Sequence, residues 1–248
     1  MPLQFTVSPD FSPEHLSGWY IFNTWLQKQT DQAIHLELFD SFEPQREAVR
    51  HNKVDLIYAN PFDAAMLVRE KGFSPLVKAV GMADEAIVAV SADNPASKIE
   101  QLTAGINIAV TDVPDVRMMG MIMLEPGDLT VNNVNVTTYK NYVLIAKQLI
   151  QGNSDVGIFL ASAYDDLSGI IKSQLKVLVR SQISVIYHAL MLAPTLSNKK
   201  DELLNLLIAM PQDEKGKNVL NSLGFTGWEK VNDEEMEFMI DLMDTLTI

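Results

Sequence analysis

Residues 110–126, VTDVPDVRMMGMIMLEP, place two carboxylates and one guanidinium at the start of a predicted helix. The first turn of a helix exposes free backbone N–H groups and the positive end of the dipole, so it can receive an anion. Arg117 could hold a carboxylate or an oxyanion through two hydrogen bonds. Alternatively, Arg117 pairs with Asp112 or with Asp115, which we expect to be the N-cap. We therefore predict Asp112 and Arg117 as ligand-binding residues.

Four methionines, Met118, Met119, Met121 and Met123, follow in the same helix. Thioethers suit Cu(I), but helical spacing spreads these side chains around the helix, and methionine is a common packing residue. We predict that Met118 and Met119 are apolar ligand contacts. No metal site and no cofactor is predicted.

A second group of candidates follows predicted strands in the first third of the chain. Asn60 offers a hydrogen-bond donor and an acceptor, and Tyr58 offers a ring and a hydroxyl. Phe11 and Phe42 occupy similar positions, and all four are predicted to contact a ligand. In the alternative interpretation Tyr58 is a core residue and Asn60 merely begins a helix. Weaker candidates are Ser8, Asp10 and the segment 162–164.

Tyr187, His188 and Glu85 lie near two segments that are predicted to connect two lobes. His188 and Tyr187 sit in an apolar run, whereas Glu85 begins an apolar strand, and all three are predicted to bind the ligand. Glu85 with His188 is the one pair that could supply a catalytic base. The sequence contains no nucleophile elbow, Walker loop, dinucleotide fingerprint or metalloprotease pair. We therefore predict no catalytic residues and a protein that is not an enzyme.

The elements that position these residues alternate between strands and helices, which predicts an α/β fold with largely parallel strands. The rhythm restarts after ADNPAS, which predicts a second lobe inserted into the first through two crossover strands. Ser12 is predicted to cap the first helix. Ligands of open α/β sheets bind beyond the carboxyl ends of the strands, so we expect a cleft that closes on a small molecule. The predicted boundaries are 1–86 with 188–248 for lobe one, 87–187 for lobe two, and 85–91 and 183–189 for the crossovers.

Composition excludes several functional classes. The chain has 248 residues and a net charge of −13, which argues against nucleic acid as a partner. It has no cysteine, so disulfides, thiolate zinc sites and thiol catalysis are excluded. No signal peptide precedes the first predicted strand, which leaves a cytoplasmic location as an alternative. We expect a monomer.

Several motifs together resemble a known family. They are VSPDFSPE, NKVDLIYANP, EAIVAVSADNPASKIEQLTAG, QGNSDVGIFLASAY and MPQDEKGKNVLNSLGFTGWEKV. In order and spacing they resemble the type II periplasmic binding proteins, and among these the substrate-binding proteins of phosphate, phosphite and phosphonate ABC transporters. The resemblance covers nearly the whole chain. It implies a two-lobed fold, a periplasmic location, a small-molecule ligand and a permease or sensor protein as partner.

The turn at 114–120 departs from that family. Members that bind phosphonate carry a turn there that is rich in Ser and Thr, whereas this chain has PDVRMMG. The acid that members tend to carry after the DVGIF strand is also absent, since residues 159–161 are FLA. We therefore expect weak binding of simple phosphonates and capture of another small anionic or zwitterionic ligand. The alternatives are a cytoplasmic ligand sensor and an enzyme on the same fold.

Overall fold

A computed structural model describes residues 2–11 and 13–244 of the chain. It divides the chain into two compact units: lobe one, Met1–Met82 with Tyr187–Ile248, and lobe two, Ala83–Ile186. Ser12, the predicted cap of the first helix, lies outside the described residues. None of the described helices combines the length and the apolar composition that a membrane span requires.

The described part of lobe one contains six strands and six α-helices. In chain order they are β1 (Leu3–Val7), α1 (Leu16–Thr30), β2 (Ile34–Leu38), α2 (Phe42–Arg50), β3 (Leu56–Ala59), α3 (Pro61–Lys71), β4 (Ser74–Ala79), β10 (Ala189–Leu192), α8 (Lys200–Ala209), α9 (Glu214–Ser222), β11 (Trp228–Lys230) and α10 (Asp233–Asp244). The strands form one sheet in the order β11-β4-β10-β3-β1-β2. Strands β1, β2 and β3 are parallel, and β10 lies antiparallel between β3 and β4.

Aromatic side chains dominate the core of lobe one. Helix α1 buries Trp19, Phe22 and Leu26 at helical spacing, which gives it one apolar face toward the sheet. The Trp19 ring contacts the rings of Phe5 and Tyr58, at centroid distances of 6.1 and 4.8 Å. This packing holds β1 and β3 against α1 and so fixes the edge where both strands end.

The described part of lobe two contains five strands and four α-helices. They are β5 (Ala86–Ser91), β6 (Asn107–Val110), α4 (Pro114–Leu124), β7 (Asn135–Thr138), α5 (Tyr142–Ile150), β8 (Val156–Leu160), α6 (Ala161–Asp165), α7 (Gly169–Lys172) and β9 (Leu175–Arg180). The sheet order is β7-β6-β8-β5-β9, and β6 runs parallel to β7 and β8. Strand β5 runs antiparallel to β8 and β9.

The return segment 184–193 is a strand over only part of its predicted length. Residues 181–188 have no regular secondary structure, and β10 begins at Ala189. Ser184 has a left-handed φ of 60°, which interrupts an extended chain. Its backbone N–H donates to Glu85 Oε1 at 2.7 Å instead of to a neighbouring strand. The strand prediction for 184–188 is therefore wrong.

Candidate functional site

Three strands of lobe one bring polar residues to a single edge of its sheet. Ser8 follows the carboxyl end of β1, and Asn60 follows that of the parallel β3. His188 precedes β10, whose first residue pairs with the last residue of β3. The Ser8 N–H donates to the Tyr58 carbonyl at 2.8 Å, which closes the edge between β1 and β3. The fold thus collects residues that are far apart in the sequence at the edge where α/β sheets bind ligands.

Asn60 lies at the centre of this edge and is fully buried. Its Oδ1 accepts from the Asp63 N–H at 2.7 Å, so Asn60 is the N-cap of α3, and Pro61 takes the first helical position. Its Nδ2 donates to Ser8 Oγ at 3.3 Å and to Asp63 Oδ2 at 3.1 Å. The Asn60 amide therefore joins the helix start to the turn after β1.

Arg46 and Asp63 extend the network, and the sequence interpretation missed both. Arg46 Nε donates to Asp63 Oδ1 at 2.6 Å, and Nη2 lies 3.3 Å from Oδ2. The guanidinium lies 5.0 Å from the Phe42 ring centroid and 5.3 Å from that of Phe62. Burial raises the pKa of Asp63, Arg46 opposes this, and the charge of Asp10 adds to the rise. Positions 46 and 63 lie on two helices, so their spacing in the sequence gave no signal of a pair.

Asp10 and His188 form a second polar pair at the same edge. His188 Nε2 lies 3.2 Å from Asp10 Oδ1, with side-chain exposures of 15% and 6%. The Tyr58 ring stacks on the imidazole at a centroid distance of 5.5 Å and an interplanar angle of 24°. Burial alone would raise the pKa of Asp10, but the charge and the hydrogen bond of His188 outweigh it, and Ser8 contributes in the same direction. The pKa of Asp10 therefore lies below its ordinary value, and this carboxylate is ionised at neutral pH.

The remaining predicted lobe-one residues surround this edge. Tyr58 is 7% exposed and belongs to the aromatic core, as the alternative interpretation expected, while it also stacks on His188. Phe11 is half-buried and packs against that core, and Phe42 is half-buried beside Arg46. Tyr187 is 1% exposed.

The Tyr187 ring faces charged groups of lobe one. Lys78 Nζ lies 4.3 Å from the ring centroid and bonds to Glu235 Oε2 at 2.6 Å. Burial raises the pKa of the Tyr187 hydroxyl, and Glu235 and Glu229 add to this rise. Tyr187 is therefore held inside lobe one by packing and charge.

Glu85 does not supply the carboxylate that contacts His188, which is that of Asp10. Glu85 Oε2 accepts a short hydrogen bond from Ser181 Oγ, and Oε1 accepts from the Ser184 N–H. The prediction that Glu85 pairs with His188 is therefore wrong. In its place, Glu85 ties β5 to the return segment within lobe two.

The helix start at 110–126 also differs from its prediction in one respect. Helix α4 begins at Pro114, and its N-cap is Val113 rather than Asp115. Proline has a fixed φ that suits the first helical position, so the helix begins before the acid. Asp115 is instead fully buried in the first turn.

The other predicted residues of this turn divide between surface and interior. Asp112 and Arg117 are exposed, and Arg117 forms no ion pair with any described residue. Met118 and Met119 are 6% and 1% exposed. Among the described residues, no three His, Asp or Glu side chains lie close enough together to hold a metal ion.

Comparisons with known proteins agree with this architecture. A family model described as the periplasmic substrate-binding protein of a phosphonate ABC transporter matches residues 5–236. The structure resembles the Xanthomonas citri protein XAC2383 bound to ATP, with 14% identity, 99% and 98% coverage of the two chains and a TM-score of 0.83. For PhnD1 from Prochlorococcus marinus in complex with methylphosphonate the identity is 12%, the coverage 99% and 98%, and the TM-score 0.79.

A sulfonate-binding relative shares the same fold. For the periplasmic aliphatic sulphonate binding protein SsuA from Escherichia coli, the identity is 13%, the coverage 99% and 91%, and the TM-score 0.71. No curated sequence matches the chain. At these identities the structural neighbours establish the fold.

Proposed function

Because the chain belongs to the family of periplasmic substrate-binding proteins of phosphonate ABC transporters, we propose that it captures a small organic ligand and delivers it to a permease. The family is one of transport proteins and not of enzymes. In the proposal, the ligand is bound and released without a chemical step, and the protein works in the periplasm. The ligand is small and is either anionic or zwitterionic.

The observation that carries the proposal is the buried polar edge of lobe one. Ser8 and Asn60 are fully buried and Asp63 is 3% exposed, although Asp and Asn are rarely buried without a reason. Asp10 and His188 join them at the carboxyl ends of β1 and β3. Buried ionisable groups with shifted pKa values, gathered beyond strand ends, are typical of ligand sites.

In lobe two, the proposal assigns one role to Arg117 and another to Met118 and Met119. Arg117 is exposed at the start of α4 and has no ion-pair partner among the described residues, which supports a role for it in holding an anionic group. We propose that Arg117 raises the affinity for the anionic end of the ligand. Met118 and Met119 are buried, so their proposed contribution is to support the first turn of α4.

A thermal-shift screen tests the proposal. All three tryptophans, Trp19, Trp25 and Trp228, belong to the lobe-one core, so tryptophan fluorescence follows the unfolding of the lobe that carries the site. The panel contains phosphate, methylphosphonate, alkanesulfonates, amino acids and quaternary amines. A ligand at 100 times its Kd stabilises by about 2.7 kcal/mol. This corresponds to a rise in the midpoint of roughly 5–11 °C for a protein of this size.

Two measurements complete the test. A compound that shifts the midpoint is measured by calorimetry, and after incubation it is analysed by NMR. The proposal expects saturable one-to-one binding and recovery of the compound unchanged. Conversion of the compound would contradict a transport role, and a flat response across the whole panel would contradict ligand capture.

A further inference from the structure

The outer face of helix α1 carries almost no charge. Three large apolar side chains are exposed on it, since Leu16, Tyr20 and Ile21 are 42%, 52% and 47% exposed. Exposed Ser17 and Thr24 lie on the same side at helical spacing. We call these five residues, Leu16, Ser17, Tyr20, Ile21 and Thr24, the neutral stripe. The opposite face of α1 is buried in the lobe-one core, and a helix that is apolar on both faces is typically covered on both.

The composition of the chain does not explain the neutral stripe. The chain has 19 basic and 32 acidic residues, yet Lys28 is the one charged residue in α1. Helix α10 shows the contrasting pattern. Its exposed Phe238 has the exposed acids Glu234, Glu237 and Asp241 around it. A single exposed apolar residue needs no explanation, whereas several adjacent ones on an uncharged surface indicate an interaction site.

Opposite charges lie at the two ends of the neutral stripe. Glu14 precedes α1 and is exposed, and Lys28 is exposed in the last turn of the helix. Neither forms an ion pair with any described residue. Their separation in the sequence corresponds to roughly 21 Å along a helix, with Ile21 at the midpoint. A surface with one charge at each end and apolar residues between them is complementary to itself when one copy is turned around.

We propose that the neutral stripe is a contact between two copies of this chain, in which the two α1 helices pack antiparallel across a two-fold axis near Ile21. In such an isologous contact the same patch is used on both copies. Glu14 of each copy meets the partner's Lys28, and the side chains of Tyr20 and Ile21 pack at the centre. The inference goes beyond the proposed function, and it replaces the monomer that we expected from the sequence.

The net charge of −13 favours this surface over others for self-association. Acidic surfaces of two copies repel each other, so the repulsion is smallest where neither copy presents an acid. A parallel pair of α1 helices would place two Glu14 side chains together, whereas the antiparallel pair joins unlike charges. Two helix faces bury less than the roughly 800 Å² per partner of a standard interface, so we expect a weak, reversible dimer.

Sedimentation equilibrium of the wild-type protein provides the first experiment. Over a range of about 5 to 500 µM, the average mass is expected to rise from the 27.6 kDa of the single chain toward twice that value. Tyr20→Glu places an acid at the centre of the contact and is expected to weaken association tenfold or more. The matched control is Phe238→Glu, because Phe238 is 56% exposed on another helix of lobe one. This control is expected to leave the dissociation constant within twofold.

Exchanging the terminal charges tests the antiparallel arrangement. Glu14→Lys and Lys28→Glu are each expected to weaken association threefold or more, because each places like charges together. The double variant restores unlike charges and is expected to return within twofold of the wild type. A mixture of the two single variants is expected to form mixed dimers more tightly than either variant pairs with itself. Tryptophan fluorescence shows whether lobe one of each variant is folded, since all three tryptophans lie in its core.

The outcomes either support the dimer or overturn it. A mass of 27.6 kDa at every concentration overturns it and leaves the neutral stripe to a different partner protein. A dimer that persists unchanged in folded Tyr20→Glu, or that Phe238→Glu weakens equally, overturns the assignment to α1. Failure of the double variant to recover association overturns the antiparallel pairing. None of these results depends on a ligand, so the proposed function is tested separately.

Discussion

Replacing Arg46 with methionine leaves the Asp63 carboxylate buried without its cationic partner. Asp63 is 4% exposed at its side chain, and Arg46 contacts both of its oxygens. Methionine keeps much of the apolar stem between Phe42 and Phe62, so the main loss is that of the charge and the two hydrogen bonds. We expect Arg46→Met to destabilise lobe one.

The expected magnitude follows from the burial of the two partners. Removing one partner of a buried ion pair costs about 3–5 kcal/mol. The Arg46 side chain is 24% exposed, and Asn60 keeps its hydrogen bond to Asp63, so we reduce the expected loss. We expect a loss of about 2–4 kcal/mol at pH 7. This is a fall of roughly 4–16 °C in the unfolding midpoint.

The stability penalty of Arg46→Met is also expected to depend on pH, in a direction that the pKa of Asp63 determines. Because the folded-state pKa of Asp63 is raised, its protonation favours the folded state, and that contribution is lost as the pH rises through this pKa. Removal of Arg46 raises the pKa of Asp63 further, since the opposing cation is gone. The penalty of Arg46→Met is therefore expected to be larger at pH 8 than near pH 5.

Tryptophan fluorescence in urea at both pH values measures these effects in lobe one. Arg50→Met is the matched control on the same helix, because Arg50 pairs with exposed Glu43 and Glu47, and we expect little change. The double variant Arg46→Met with Asp63→Asn is expected to recover at least half of the loss. An unchanged midpoint for Arg46→Met, or a penalty that grows as the pH falls, would refute the reasoning.

Three further predictions concern lobe two. Glu85→Gln removes the negative charge of the group that accepts hydrogen bonds from Ser181 and Ser184. We expect this variant to lower the free energy of unfolding by about 1–3 kcal/mol, as measured by calorimetric melting. Gly120→Ala would place a Cβ within 2.3 Å of Ile158, so we expect a loss of about 1–3 kcal/mol, whereas Gly169→Ala, which meets no atom within 4 Å, is expected to be nearly neutral in the same melt. Arg117→Ala is expected to keep the melting midpoint. Because one charge-assisted hydrogen bond is lost, its affinity for an anionic ligand is expected to fall about tenfold, as measured by calorimetry. An unchanged affinity would show that Arg117 does not bind the ligand.

Much of the fold could be predicted from the sequence because its signals are local. Strand β2 coincides with the predicted run IHLEL at 34–38, and Gly72 ends α3 in the left-handed conformation that its position predicts. Strands β4 and β11 were missed. Strand β4 carries a proline and a lysine, and β11 is three residues long, so neither shows a clear apolar pattern.

The segment 184–188 shows where local signals fail. Its apolar residues predict a strand, yet the backbone of Ser184 bonds to the side chain of Glu85, which lies 99 positions away. A contact of that kind depends on the completed fold and leaves no mark in the periodicity. The Asp115 prediction failed for a different and local reason: Pro114 takes the first helical position of α4, so the N-cap is Val113.

The candidate site combines residues that a sequence can suggest with residues that it cannot. Asn60 was predictable because it precedes proline at a strand end. The structure adds that both its Oδ1 and its Nδ2 form hydrogen bonds within the protein. Asp10 and His188 are 178 positions apart, and their pairing follows from β10 lying beside β3 in the sheet. The chemistry of this edge therefore depends on topology: parallel strands bring Ser8 and Asn60 together, and the antiparallel strand β10 brings the preceding residue, His188, beside them. That arrangement places the carboxylate of Asp10 beside the imidazole of His188, so the lowered pKa of Asp10 follows from the pairing rather than from either residue alone.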